Sequence, residues 1–101
     1  MLKYKLVLKK EAWHSINQLI NFLSIYNIDY SQKVLKNIFK SIKSLEIFPH
    51  RNSYLIFNKK YRKMLFLKKY LIIYSVDDIQ NIIYIKYVFN TKQNYNKSNS
   101  L

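Results

Sequence analysis

The chain has no cysteine, no glycine, a single proline and only 5 acidic residues among its 101. Without cysteine there is no disulfide framework and no thiolate metal site, and a reducing compartment fits the composition. Without glycine there is no phosphate-cradling loop, which removes P-loop and dinucleotide-binding enzymes from consideration. Two histidines and five scattered acids make no recognisable metal cluster, and no Ser, His and Asp stand at informative spacing, so neither a metal nor a cofactor is expected. Long apolar runs are missing too. The strongest, Tyr70 to Val76, is far short of a membrane span. The N-terminal "MLKYKLVLKKEAW" alternates lysine with apolar residues and has neither the continuous apolar stretch nor the small-residue cleavage site of a signal peptide. The expected location is the cytoplasm, with no membrane partner.

What the chain has in excess is positive charge. Eighteen Lys+Arg against 5 Asp+Glu give a formal +13, which favours an anionic partner such as nucleic acid, the ribosome or an acidic protein. Sixteen of the eighteen cations are lysine, and Asn, Ile and Tyr are abundant as well, the mark of A/T-biased coding. Position therefore weighs more than total. At 50% hydrophobic and 17% aromatic, the chain can bury one modest core. The expectation is a single domain over residues 1–95 with a polar, flexible tail at 96–101.

Periodicity sets the elements. In "LKYKLVL", Leu2, Tyr4, Leu6 and Leu8 alternate with Lys3, Lys5 and Val7, as in a strand with one buried face. From Glu11 the period changes, and Ala12, Ile16, Leu19, Ile20 and Leu23 trace the apolar stripe of a helix ending near Tyr26. "NIDYS" breaks it, with Asp29 or Ser31 as the expected cap of a second helix. That helix turns Val34, Ile38, Ile42 and Leu45 inward and carries Lys33, Lys36, Lys40 and Lys43 as a stripe on its outer face; Phe48-Pro49 closes it. Three β-rich runs follow, about 60–67, 70–77 and 81–89, joined by loops short enough for an antiparallel meander. With no glycine to use, these turns must put Asn, Asp or Lys at positive φ. "IIYIKYVF" is apolar at almost every position, as befits a central strand covered on both faces. The predicted fold is α+β, in the order β-α-α-β-β-β, with a helical hairpin on one face of a four-stranded, mainly antiparallel sheet and the other face partly open.

An apolar helix pair ending in "SLEIFP", then "KYRKMLFLKKYLIIYSVDD" and a final "IIYIKYVFNTKQNY", resembles the RelE/ParE family of toxins from bacterial toxin-antitoxin modules, over roughly Tyr4 to Tyr95. The resemblance implies a cytoplasmic toxin held inactive by a cognate antitoxin. Some members cut mRNA on the ribosome and others poison DNA gyrase. Between Ile47 and Val76 there are seven Lys/Arg plus His50 and not one acid, which makes this segment the best candidate for binding phosphate. The nucleic-acid-binding candidates are Arg51, Lys59, Lys60, Arg62, Lys63, Lys68 and Lys69, with Lys86 on the last strand, while Tyr54, Tyr61 or Tyr95 would stack on bases. The same surface would also receive an acidic antitoxin segment.

Metal-free RNA cleavage needs a base for the 2′-OH, a cation for the crowded phosphorane and an acid for the leaving oxygen. Arg62 suits the middle role because its guanidinium grips phosphate bidentately. Lys59, Lys60 or Lys63, crowded by like charges, would exchange protons, and His50 would serve as base or acid. Lys92 and Tyr95 lie where ribonuclease members carry C-terminal catalytic groups. The resemblance departs from the nuclease pattern in two places. Tyr87, Asn90, Lys92 and Gln93 stand near the positions of an Arg or His followed by a basic pair, and Leu71 stands where some ribonuclease members place an arginine. Phosphate-seeking charge puts ribosome-associated mRNA cleavage first, a non-enzymatic gyrase poison second and a non-toxic binding relative third. Structural roles are the alternative for single residues: Arg62 paired with Glu46, Trp13 and the strand tyrosines in the core, Lys86 reaching to the sheet edge.

Overall fold

The computed structural model describes residues 3–92. Its elements are β1 (Lys5–Leu8), α1 (Lys10–Tyr26), α2 (Ile28–Ser44), a 3-10 turn (Pro49–Arg51), β2 (Arg62–Phe66), β3 (Tyr70–Asp77) and β4 (Ile82–Asn90). The sheet order is β1-β4-β3-β2, with β1 parallel to β4 and the other neighbours antiparallel, so the apolar β4 is central as its composition predicts. The proposed tail lies outside the described residues. No helix among those described is long and apolar enough to cross a membrane.

One face of the sheet is covered by the helical hairpin. Ala12, Ile16 and Leu19 of α1 and Val34, Ile38 and Ile42 of α2 pack on Ile72, Tyr74, Ile83, Ile85 and Val88. Each large side chain buried there stabilises the fold by roughly 1.5–3 kcal/mol. The break between the helices is one residue, not the five of "NIDYS". Asn27 is extended (φ −162°), and its side chain accepts from the Tyr30 N–H, so Asn27 caps α2 in place of Asp29 or Ser31. Ser31 is instead fully buried, where its hydroxyl donates to the Ile28 carbonyl and accepts from Ser24 Oγ. Trp13 is a second correction. It is 49% exposed, because it stands beside the α1 stripe, where its ring meets Phe39 of α2.

The opposite face is not left open at this end. The connection after Pro49 folds back over it, and Leu55 and Tyr61 close a second cluster with Leu71, Ile73 and Phe89. Pairing of β3 with β4 slips between Ile73↔Tyr87 and Tyr74↔Ile85, leaving Lys86 as the extra residue of a bulge. The slip reverses the alternation, so that Ile85 and Val88 both face the helices. Positive φ occurs at Lys68 and Asn81, residue types the glycine-free turns require, but also at Leu67, where a bulky side chain makes it an outlier.

Candidate functional site

Arg62 opens β2, and its guanidinium turns toward the loop that β2 has just left. One nitrogen donates to the carbonyls of Asn52 (2.6 Å) and His50 (3.2 Å), and the other donates to Tyr54 Oη (2.9 Å), while the plane lies over the Tyr54 ring at 4.0 Å. The predicted partner Glu46 is held by Lys43 at 3.3 Å instead. Arg62 therefore clamps the 50–54 segment onto the sheet, a use of the planar fork that lysine cannot copy. Tyr74 performs the same task from β3. Its buried hydroxyl donates to the Pro49 carbonyl (2.6 Å) and accepts from Asn52 Nδ2 (3.1 Å), and burial raises its pKa. Arg51 is spent in a similar way, donating to the Ser44 and Phe48 carbonyls and to Ser44 Oγ at the end of α2.

His50 is tied by Nε2 to both Asp78 oxygens, at 2.8 and 3.1 Å. Asp78, in the β3–β4 turn, also accepts from Tyr4 Oη at 2.7 Å, and the Tyr4 and His50 rings meet edge to face. The Tyr4 hydrogen bond, then that of His50, holds the Asp78 carboxyl below its ordinary pKa, while the Asp78 bond raises that of Tyr4. This trio joins three segments far apart in sequence. Nothing in the local sequence marks Tyr4, Asn52, Tyr74 or Asp78; only "VDD", an acid pair at a strand end, was a signal available for Asp78.

Among the candidates, the structure brings together Arg62, His50 and Arg51 at the β2 entry. Lys59 and Lys60 are exposed in the preceding turn, and Lys63 points to the opposite sheet face from Arg62. Lys68, Lys69 and Lys92 lie at the other end. Phe66 pairs with Tyr70 and Tyr70 with Asn90, while Arg62 pairs with Tyr74, so about four residues of strand, ~13 Å, separate Lys92's end of the sheet from Arg62. Lys86 is elsewhere again. From the bulge it reaches around the β4 edge, which β1 no longer covers, and bonds Glu11 of α1 at 2.7 Å, an interaction that raises the Lys86 pKa and lowers that of Glu11. Tyr95 lies outside the described residues. Between α1 and this β4 edge runs a groove of about 1060 Å³, floored by Leu19, Leu23, Val88 and Phe89, in which Ser15 Oγ accepts the Val88 N–H at 3.0 Å. No group of three or more His, Asp or Glu able to hold a metal occurs among the described residues.

Residues 6–95 match the family described as ParE toxin of type II toxin-antitoxin system, parDE. The chain belongs to this family. It is a toxin of the RelE/ParE type, as the helix pair and the "KYRKMLFLKKYLIIYSVDD" segment imply. No curated protein sequence matches it. Among solved structures, the fold is similar to that in the RelBE2 toxin-antitoxin complex of Mycobacterium tuberculosis (TM-score 0.72, 16% identity, covering 92% of this chain and 97% of that one). The chromosomal ParDE system of P. aeruginosa gives TM-score 0.76 at 11% identity over 89% of this chain and 98% of that one. A free-state mutant of the E. coli RelE toxin gives 0.66 at 17% identity over 90% and 86%. At these identities the likeness concerns the fold, and RelE and ParE structures share it.

Proposed function

We propose that this toxin arrests growth by binding, with DNA gyrase as its target, in the cytoplasm and under the control of an acidic cognate antitoxin. The observation that carries the reading is that the nuclease candidates gathered at the β2 entry are already engaged in holding the loop, while Lys92 lies apart from them. The guanidinium best suited to a phosphorane is already shared among two carbonyls and a tyrosine, His50 is held by Asp78, and Lys92 stands at the far end of the sheet. Base, cation and acid must surround one phosphate to act in concert. Leu71, in the position some nuclease members give to arginine, lies instead in the apolar cluster with Ile73 and Phe89. The formal +13 suits an acidic antitoxin, and the solved relatives in complexes with antitoxins support such a partner.

The ribonuclease reading has one observation in its favour: Lys59 and Lys60 are exposed and, like Lys63, have no carboxylate within ion-pair distance among the described residues, so they are free to hold an RNA backbone, although Tyr61 is buried and the Tyr54 ring is covered by Arg62. Purified gyrase and supercoiled plasmid separate the two. A gyrase poison traps cleaved DNA, seen as linear plasmid after detergent and protease treatment, and induces the SOS response in cells. Absence of both, with growth still arrested, would refute the gyrase assignment.

A further inference from the structure

We propose that the outer face of α2 and the β2–β3 turn form one surface that docks the phosphate backbone of duplex DNA. Lys33, Lys36 and Lys40 stand at i, i+3 and i+7 on α2, a nearly straight row about 10 Å long, and all three are exposed. The structure joins this row to two further exposed cations that the sequence places thirty residues away. Lys69 sits 5.9 Å over the ring of Tyr30, one turn before Lys33, and Tyr30 Oη bonds Tyr70 Oη at 3.1 Å, which fixes the turn against the helix. Lys68 is at its tip.

None of the five lysines has a carboxylate within ion-pair distance among the described residues. Four of the five acids are engaged elsewhere, and Asp29, one turn before Lys33 on the same face of α2, makes no ion pair with the row among the described residues. Glu46 holds Lys43, Glu11 holds Lys86, Asp78 holds His50, Asp77 caps the β3–β4 turn through the Ile79 and Gln80 N–H groups, and Asp29 lies in the first turn of α2, where the helix dipole favours it. Five like charges so arranged repel one another until an anion arrives. The turn that presents Lys68 is strained as well as basic. Leu67 and Lys68 have φ of 50° and 60°, and the Lys69 N–H closes on the Phe66 carbonyl at 3.3 Å. Backbone held in a sparsely populated region marks sites where the side chains presented matter more than local comfort. A straight row of cations on a stiff support matches a regular phosphate backbone. The choice of duplex DNA over RNA rests on the gyrase reading; the docking of a polyanion does not.

Fluorescence anisotropy of the full-length chain with a labelled 20-base-pair duplex, across 50 to 200 mM salt, tests this. Five phosphate contacts give a log–log salt slope of about −4.5, an affinity loss of roughly 500-fold over that range. Either Lys36→Ala/Lys40→Ala or Lys68→Ala/Lys69→Ala should lower the slope by about 1.8, reducing the loss to about 40-fold. The comparison pair Lys3→Ala/Lys5→Ala removes the same charge from the β1 end and should leave the slope near wild type. Equal effects from all three pairs would mean that net charge alone binds DNA and would overturn the surface, as would single-stranded RNA of equal length binding tenfold more tightly than the duplex. If wild type traps gyrase while the α2 pair binds DNA unchanged, this inference fails and the gyrase reading stands. Loss of DNA binding in the pairs, with no trapping by wild type, leaves the surface standing and removes its target.

Discussion

Replacing Leu67-Lys68 by Asn-Gly should stabilise the protein. Both residues occupy the left-handed region at the centre of a four-residue turn, φ 50° and 60°, where an ordinary L-residue loses roughly 1–2 kcal/mol each to the approach of Cβ and carbonyl oxygen. Asn tolerates this region and Gly is indifferent to it, and Asn-Gly is the favoured pair for hairpin turns with positive φ at both centres. Against the gain stands the extra freedom glycine gives the unfolded chain, about 0.5–1 kcal/mol. Leu67 is 37% exposed, so some contact is also lost. The net expectation is about 1–2 kcal/mol, or roughly 5–10 °C in Tm for a domain of this size. Thermal and urea unfolding followed by circular dichroism measure it, and the urea slope should be unchanged if only the turn relaxes. An unchanged or lower Tm would show that the turn carries no strain, and one support of the docking surface would go with it. The same variant removes one docking cation, so its DNA-binding salt slope should fall by about 0.9 even as its stability rises.

Arg62→Ala should cost about 2–3 kcal/mol in urea unfolding, because charge-assisted bonds to the Asn52 and His50 carbonyls are lost together; Arg62→Lys should recover only part, and no stability change in either would restore Arg62 to a purely catalytic reading. Tyr74→Phe leaves the buried Pro49 carbonyl and Asn52 amide without their shared hydroxyl and should destabilise by about 1–2 kcal/mol; a neutral result would mean that the 49–52 segment is not anchored there. Asp78 has a depressed folded pKa, so its contribution is present above the unfolded value of about 3.9 and is lost as pH falls through the lower folded value. The Tm difference between wild type and Asp78→Asn should therefore be steady near pH 6 and shrink below pH 4; a difference that persists at pH 2 would show that the charge is not what holds Tyr4 and His50.

The architecture was legible because each element follows its own period: the i, i+4, i+7 stripe from Ala12 to Leu19, the alternation of β1, and a β4 too apolar for an edge. Local chemistry was less legible. Three polar residues compete to cap α2 within "NIDYS", and only backbone geometry selects Asn27. The bulge at Lys86 hides in a strand apolar on both sides, where a reversal of parity leaves no trace in the pattern. The charge excess was plain in the sequence, but its distribution was not. Arg51 and Arg62 spend their donors on carbonyls of a loop whose path no periodicity predicts, whereas Lys68 and Lys69 meet the α2 row through a Tyr30–Tyr70 contact forty residues apart. Pairing long in sequence, with no motif to announce it, separates the clamps from the free cations.

The claim that this toxin binds and does not cut is tested most directly by mapping RNA 5′ ends across the transcriptome within minutes of inducing the intact chain. Growth arrest with an unaltered 5′-end profile is the predicted outcome. New ends in phase with codons would contradict it, and the phosphate chemistry would then belong to the lysines around Tyr54 and Tyr61.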